Sequence, residues 1–248
     1  MFEPFPGNYV WNLSVNICLS MGGAIGEIDE ANAPVREALA DRLDGQGRQA
    51  EAAGNPLTAS GKYARALAYA MTAERMQDSD YAPRKGAYAR MLEMRDAMIR
   101  TGGIPCEAVE IHYKDSVLPA LFLPGDGPGP WPCMIFCNGL DSVKEMIFLI
   151  NREAFARRGI ALLIIDQPGV GGALRRDGLT AVVESERWAG AAVDYLETRP
   201  DVIASRIGIV GWSLGGYYAP RAACYEKRLK LCVAWGANHD WGALQHRR

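Results

Sequence analysis

The segment from Arg206 to Pro220 constrains the fold of this chain most strongly. It reads R-I-G-I-V-G-W-S-L-G-G-Y-Y-A-P, an apolar run followed by a glycine-flanked serine and then by residues compatible with a helix. A G-x-S-x-G pattern between a strand and a helix predicts a sharp turn with Ser213 at its apex. Strand and helix nearly touch at such a turn, so Gly211 and Gly215 must lack side chains. The turn would present the Ser213 hydroxyl near the positive end of the new helix, where a developing oxyanion is stabilised.

Short apolar runs alternate with amphipathic helical patterns along the second half of the chain. The first two runs predict an antiparallel pair, and the later ones predict buried parallel strands separated by helices. This alternation is typical of an α/β fold with a doubly wound, mostly parallel sheet. The predicted strands are 108–113, 117–123, 133–137, 160–165, 207–210 and 229–235, and the predicted helices are 145–158, 182–198 and the segment from the Ser213 turn to Lys227.

The first 103 residues read as helical. A polar, glycine-containing stretch from Gly45 to Gly54 predicts a break between helices, Pro83 suits the first turn of another helix, and Gly102-Gly103 predicts its end. Only one helix pair is visible, whereas a helical repeat array needs about three units. We therefore expect an all-helical cap or lid domain over 1–103 and an α/β core over 104–248.

Composition excludes several classes of function. Of the 248 residues, 49% are hydrophobic and 23% charged, which is ordinary for a soluble globular protein. The net charge of −2 gives no basic field for nucleic acid or an anionic membrane. Six cysteines without a C-x-x-C pair and three histidines give no zinc spacing, and the N-terminus lacks the shape of a signal peptide. A reducing, cytoplasmic setting is expected, and no zinc site is indicated.

Candidate site residues follow the predicted strands at their carboxyl ends, where function collects in such sheets. After Cys137 comes Asn138-Gly139-Leu140-Asp141, whose Leu140 N–H could pair with the Leu214 N–H to form a two-donor oxyanion hole. The glycines of 166–172 permit a second interpretation as a phosphate loop. No Lys-Ser/Thr follows them, so we favour a loop that lines the site.

These residues together resemble the α/β-hydrolase superfamily. More narrowly, the chain is similar to the branch with a helical N-terminal cap, typified by 2,6-dihydroxypseudooxynicotine hydrolase and the fungal yellowish-green pigment polyketide-shortening hydrolases. The stretches that carry the resemblance are 138–145, 166–169, 211–221 and 234–241. It implies a nucleophile at Ser213, an oxyanion hole at Leu140 and Leu214, a small carbonyl substrate between cap and sheet, and no cofactor. Members of the branch cleave C–C bonds next to ketones, or esters and related acyl bonds.

The acid and base of a triad are missing from the expected places. In this fold they follow the nucleophile along the chain, in the order Ser, Asp or Glu, His, yet only 35 residues follow Ser213. The simplest interpretation is that the chain is the N-terminal part of a longer hydrolase. His112 is expected in a surface or packing role and His246 in a solvated tail. His239 is the one local candidate for the base, although its neighbour Asp240 cannot easily orient it.

Other polar residues have more than one interpretation. Asp240 is a loop cap or a pocket residue, and Gly139 and Asp141 are pocket candidates. Asp141 and Lys144 bind substrate or form a local ion pair, and we favour the ion pair.

Two further hypotheses compete with a serine hydrolase. Without a base, the same fold would be a non-catalytic pocket for a small carbonyl ligand, or a stand-alone interaction module built on the helical half. A homodimer is left open by the sequence. Finally, the apolar strand 229–235 is expected to be an uncovered sheet edge, which favours aggregation of Met1–Arg248 alone.

Overall fold

A computed structural model describes residues 27–75, 77, 82–236 and 240. The chain divides into two compact units between Pro105 and Cys106, two residues after the predicted boundary. Within the described residues the first unit holds three helices, α1 (Glu27–Ala52), α2 (Pro56–Arg75) and α3 (Pro83–Gly102). Gly103 ends α3 with φ 58°, a left-handed conformation that glycine adopts without strain, so the predicted stop is confirmed. The role of this helical unit as a cap stays a prediction.

The predicted break between Gly45 and Gly54 is wrong, because α1 continues to Ala52. The reason lies in the packing of α1 against α2. An ideal Cβ built on Gly47 would lie 2.7 Å from Cε1 of Tyr63, a ring that is only 2% exposed. The Tyr63 hydroxyl then donates a hydrogen bond to Glu51 at 3.0 Å. Gly47 therefore leaves space for the buried Tyr63 ring of α2, and α1 continues through it as a helix.

Two glycines of α1 give a matched pair of stability predictions. Gly45→Ala should stabilise the helical unit by about 0.5–1 kcal/mol, because glycine is a poor helix former and nothing lies within 4 Å of the new Cβ. Gly47→Ala should destabilise it by about 1–3 kcal/mol, because the methyl group overlaps the Tyr63 ring. Urea unfolding followed by circular dichroism measures both changes. Equal effects of the two substitutions would contradict the packing explanation.

The second unit is built on a six-stranded sheet in the order β1-β2-β4-β3-β5-β6. The strands are β1 (Glu107–Tyr113), β2 (Ser116–Leu123), β3 (Trp131–Cys137), β4 (Ala161–Ile165), β5 (Val202–Trp212) and β6 (Leu231–Trp235). The pair β1–β2 is antiparallel, as predicted, and β2 is antiparallel to β4. The strands β4, β3, β5 and β6 run parallel. The α/β class and all six predicted strands are confirmed, with shifted ends.

Helices cover the two faces of the sheet. They are α4 (Lys144–Ala156), the short α5 (Gly171–Arg175), α6 (Ser185–Glu197) and α7 (Gly215–Tyr225). Alternate strand residues, such as Ile135 and Ile209, share a buried cluster with Trp188 of α6 and Ala219 of α7. On the opposite face, Phe136 of β3 makes an edge contact with Phe155 of α4, with ring centroids 6.3 Å apart. The sheet is therefore a buried middle layer, which explains its near-continuous apolar strands.

The register of the parallel strands brings their carboxyl ends to one edge. Cys137 of β3 lies opposite Ile165 of β4 on one side and opposite Gly211 of β5 on the other. On the far side of β5, Trp212 lies opposite Trp235 of β6. The segments that follow these strands thus meet around Ser213.

β6 is an edge strand of the described sheet and pairs with β5 alone. All five of its residues are exposed, including Leu231, Val233 and Trp235. An exposed apolar strand with free backbone groups favours pairing with other strands. Over the part of the chain that the structure describes, no helix is both long and apolar enough to cross a membrane.

Candidate active site

Ser213 occupies a strained turn between β5 and α7. Its φ is +55°, a left-handed conformation that side chains other than glycine rarely adopt. Lys114, in the tight turn between β1 and β2, is the other non-glycine residue with positive φ within the described residues. Backbone strain of this kind persists only where the surrounding structure imposes it, and it concentrates at functional sites. Ser213 is also exposed, so its hydroxyl is accessible at the apex of the turn.

The surrounding backbone leaves no room for side chains at the flanking glycines. An ideal Cβ on Gly211 would lie 1.9 Å from the carbonyl oxygen of Gly215. One on Gly215 would lie 2.6 Å from the carbonyl oxygen of Cys137, at the end of β3. On the β6 side, the Ser213 N–H donates a hydrogen bond to the Trp235 carbonyl at 2.9 Å. These contacts fix the turn from three sides and hold Ser213 in its strained conformation.

The loop after β3 lies directly against Ser213. An ideal Cβ on Gly139 would lie 3.1 Å from the Ser213 Cβ, so glycine permits this close approach. Leu140, the next residue, is 61% exposed. Neither the Leu140 N–H nor the Leu214 N–H donates a hydrogen bond to another described residue. Two uncommitted backbone donors therefore belong to the two segments that meet at the hydroxyl.

A buried polar cluster lies at the same edge of the sheet. Its members are Asn138, Lys144, Glu145, Asp166 and Gln167, each at most 3% exposed. The Lys144 ammonium group donates to Asp166 and forms an ion pair with Glu145, both at 2.9 Å. The favoured ion pair between Asp141 and Lys144 is therefore wrong. Asp141 is exposed, whereas Lys144 points into the protein, where burial demands a carboxylate partner.

The glycines after Asp166 do not form a phosphate loop. Gly171 and Gly172 begin the short helix α5, which the sequence did not predict. The Gly172 N–H donates to the Asp166 carboxylate at 2.8 Å, so a protein carboxylate already occupies the N-terminus of this helix. The favoured interpretation of this segment as a loop that lines the site stays a prediction.

No histidine accompanies Ser213 within the described residues. His112 is exposed on β1, and β2, β4 and β3 separate that strand from β5. His239 and His246 lie outside the described residues, so the prediction for His239 is untested. Asp240 is described and exposed, and its role stays a prediction. The Ser213 hydroxyl makes no hydrogen bond to another described side chain, so the described part of the site holds a positioned hydroxyl without its base.

Cys137 lies beneath the turn but is not a competing nucleophile. Its thiol is completely buried and lies 3.5 Å from the Gly215 carbonyl oxygen. Burial raises the pKa of Cys137 far above its ordinary value, so the reactive thiolate is suppressed. No cluster of three or more metal-binding side chains occurs within residues 27–75, 77, 82–236 and 240. Ser213 is the accessible nucleophile candidate of this edge.

A mostly parallel sheet flanked by helices, with a strained serine between a strand and a helix, defines the α/β-hydrolase fold. Residues 46–241 match the family described as "Esterase FrsA-like". The chain therefore belongs to the FrsA-like esterase family.

Similar proteins support this assignment. The 2,6-dihydropseudooxynicotine hydrolase of Paenarthrobacter nicotinovorans is 31% identical over 157 residues, which cover 63% of this chain and 42% of that protein. The hydrolyase poxO of Penicillium oxalicum is 30% identical over 217 residues, which cover 81% of this chain and 50% of that protein. The chain thus spans about half the length of the curated relatives it matches.

Solved structures agree with the sequence matches. The crystal structure of the 2,6-dihydroxy-pseudo-oxynicotine hydrolase superposes with a TM-score of 0.74 at 26% identity, covering 88% of this chain and 63% of that one. Wild-type AbyA5 superposes with a TM-score of 0.55 at 26% identity, covering 78% of this chain and 51% of that one. The first of these matches, which covers 88% of this chain, supports an α/β-hydrolase fold with a mostly parallel sheet and a helical N-terminal region.

Proposed function

We propose that the protein is a serine hydrolase in which Ser213 attacks the carbonyl carbon of a small-molecule substrate. The observation that carries the proposal is the conformation of Ser213, with φ at +55° and an exposed hydroxyl between β5 and α7. Such a strained, accessible serine has no role in packing, because its side chain is not buried. Family membership among esterases supports the same reaction class.

The reaction would proceed in two steps. The Ser213 oxygen forms a bond to the carbonyl carbon while its proton passes to a general base, and the carbonyl oxygen becomes an oxyanion. The N–H groups of Leu140 and Leu214 are the proposed donors to that oxyanion, since neither donates a hydrogen bond to another described residue. The leaving group departs with a proton from the base, and water then releases the acyl group from Ser213.

The base and its orienting acid are proposed to lie outside the described residues. The relatives are about twice as long as the portion matched by this chain, which is consistent with a histidine and a carboxylate from a segment after Arg248. His239 is the alternative within the given sequence.

The proposed substrate contains an ester or a ketone next to a cleavable C–C bond. One relative is named a 2,6-dihydropseudooxynicotine hydrolase, another is named hydrolyase poxO, and the family is described as "Esterase FrsA-like". We further propose that the helical unit acts as a cap over the substrate, that the setting is cytoplasmic, and that the reaction needs no cofactor. A serine nucleophile with backbone donors supplies the chemistry without one.

A fluorophosphonate probe tests the proposal, because it forms a bond with an activated serine. The full-length protein should be labelled at Ser213, as located by peptide mass spectrometry, and the Ser213→Ala variant should not. Hydrolysis of p-nitrophenyl esters and of 1,3-diketones would then separate ester from C–C cleavage. An intact fold without labelling would contradict a hydrolase and favour a non-catalytic pocket for a small carbonyl ligand.

A further inference from the structure

The Asp166 carboxylate joins three segments at the site edge. Asp166 directly follows β4 and is 0% exposed. Its Oδ1 accepts hydrogen bonds from the Lys144 N–H at 2.8 Å and from Asn138 Nδ2 at 3.4 Å. Its Oδ2 accepts from the Lys144 ammonium group at 2.9 Å and from the Gly172 N–H at 2.8 Å. The carboxylate thus binds both ends of the loop 138–144 and the first turn of α5.

Gln167 adds a second tie to the same loop. Its side-chain oxygen accepts from the Asn138 N–H at 2.9 Å, and its side-chain nitrogen donates to the Asn138 carbonyl at 2.8 Å. Asn138 Nδ2 also donates to the Ile165 carbonyl at 2.8 Å. The start of the loop is therefore fixed to the end of β4 by backbone and side-chain hydrogen bonds. Leu140, in the middle of the loop, makes no hydrogen bond to another described residue.

Gly171 gives the carboxylate its space. An ideal Cβ on Gly171 would lie 2.0 Å from the Asp166 Cγ, and its φ is +49°. Glycine is required here on both counts, since the conformation is left-handed and the Cβ position is occupied. Gly178 also has a positive φ, +67°, but nothing lies within 4 Å of its Cβ position. The two glycines differ in the contact with Asp166, which makes them a matched pair.

We propose that Asp166 is a positioning residue, which holds the loop 138–144 so that the Leu140 N–H faces the substrate oxygen above Ser213. The inference rests on the proposed serine-hydrolase function. Asp166 does not touch the reacting atoms. It acts through the Lys144 N–H at the end of the loop and through Asn138 at its start.

The donor pattern around Asp166 explains why an amide cannot replace the carboxylate. Asp166 is an acceptor at both oxygens, and every group that it contacts there is a donor. In Asp166→Asn one end of the side chain becomes a donor and faces either the Lys144 N–H or the Gly172 N–H. The buried donors that face the new amide nitrogen then have no acceptor, and an unsatisfied buried donor is destabilising. The loop should then sample conformations in which the Leu140 N–H is misdirected.

Hydrogen exchange and kinetics on the full-length protein test this inference together. In Asp166→Asn we expect amide exchange in 138–146 to accelerate at least about tenfold, since local opening controls exchange. We expect kcat for a p-nitrophenyl ester to fall about 10- to 100-fold with KM changed less than threefold, a smaller loss than removal of a whole oxyanion donor causes. The rate of fluorophosphonate labelling at Ser213 should fall in parallel.

Matched variants separate positioning from a general loss of stability. Asp201→Asn removes a carboxylate that binds Arg199 at 2.8 Å at the opposite end of β5, and it should leave both kcat and exchange in 138–146 unchanged. Gly171→Ala should reproduce the Asp166→Asn effects and Gly178→Ala should not. If Asp166→Asn does not fold, the comparison of Gly171→Ala with Gly178→Ala tests whether Asp166 positions the loop.

The outcomes distinguish the two proposals. A wild-type protein that is folded but unlabelled at Ser213 overturns the serine-hydrolase function. Unchanged exchange in 138–146, or wild-type kcat in Asp166→Asn, overturns the role of Asp166 whatever the labelling result. Equal effects of Asp166→Asn and Asp201→Asn on kcat also overturn it, because the loss would then be one of stability.

Discussion

Replacing Ser213 by alanine is expected to lower kcat of the full-length protein by at least about 10⁴-fold, because it removes the hydroxyl that forms the acyl intermediate. Ser213→Gly should be equally inactive, but it should be more stable than Ser213→Ala by about 1 kcal/mol. The difference arises because φ at +55° strains alanine and not glycine. Ester hydrolysis and urea unfolding of the two variants measure both effects.

The pair of substitutions at Ser213 separates chemistry from conformation. Alanine keeps the strain of the turn and removes the hydroxyl, whereas glycine removes both. If Ser213→Ala retained more than about one hundredth of wild-type kcat, Ser213 would not be the nucleophile, since binding and backbone donors alone leave far less. If the two variants were equally stable, the strain inferred for this turn would be absent in solution.

Gly211→Ala is expected to damage the fold itself. The new methyl carbon would lie 1.9 Å from the Gly215 oxygen, so α7 must move away from β5 to admit it. Overpacking of this kind costs about 3 kcal/mol, and for a unit of this size that corresponds to a fall in Tm of about 10 °C. Labelling of Ser213 should be lost together with stability, because the displaced helix carries the Leu214 N–H out of place.

Gly61→Ala is the control for this substitution. Gly61 lies inside α2 with nothing within 4 Å of its Cβ position, so alanine should raise stability by about 0.5–1 kcal/mol. Ser213 labelling should be unaffected there. A Gly211→Ala protein with wild-type Tm and labelling would show that the turn tolerates a side chain, contrary to the contacts described above.

Local sequence rules predict the strand, turn and helix around Ser213 correctly. The close contact of Gly211 with Gly215 arises between residues only four apart, so the pattern around Ser213 already contains it. The same is true of the alternation of strands and helices, since buried parallel strands are apolar along their whole length. The sequence predicts β5 too short, because residues near its start, including Ala204 and Ser205, are exposed and do not continue the buried apolar run.

Long-range contacts explain the errors. The glycines of α1 predict an interruption of the helix, because no residue near them in sequence shows that the Tyr63 ring packs against Gly47. The sequence favours an ion pair of Lys144 with nearby Asp141, because it does not show that the loop after β3 meets the end of β4. The short helix α5 is not predicted from the sequence, because the Gly172 N–H in its first turn is satisfied by Asp166 rather than by an adjacent capping side chain.

The sequence by itself determined the α/β class, the strand–turn–helix around Ser213 and the need for glycine on either side of it. These features follow from steric limits between residues close in the chain. The tertiary structure alone decided the strain at Ser213, the partner of Lys144 and the ties that Asp166 makes to the loop 138–144. Those depend on which strand ends meet at one edge of the sheet, because a buried charge takes its partner from whatever the fold places within hydrogen-bond distance.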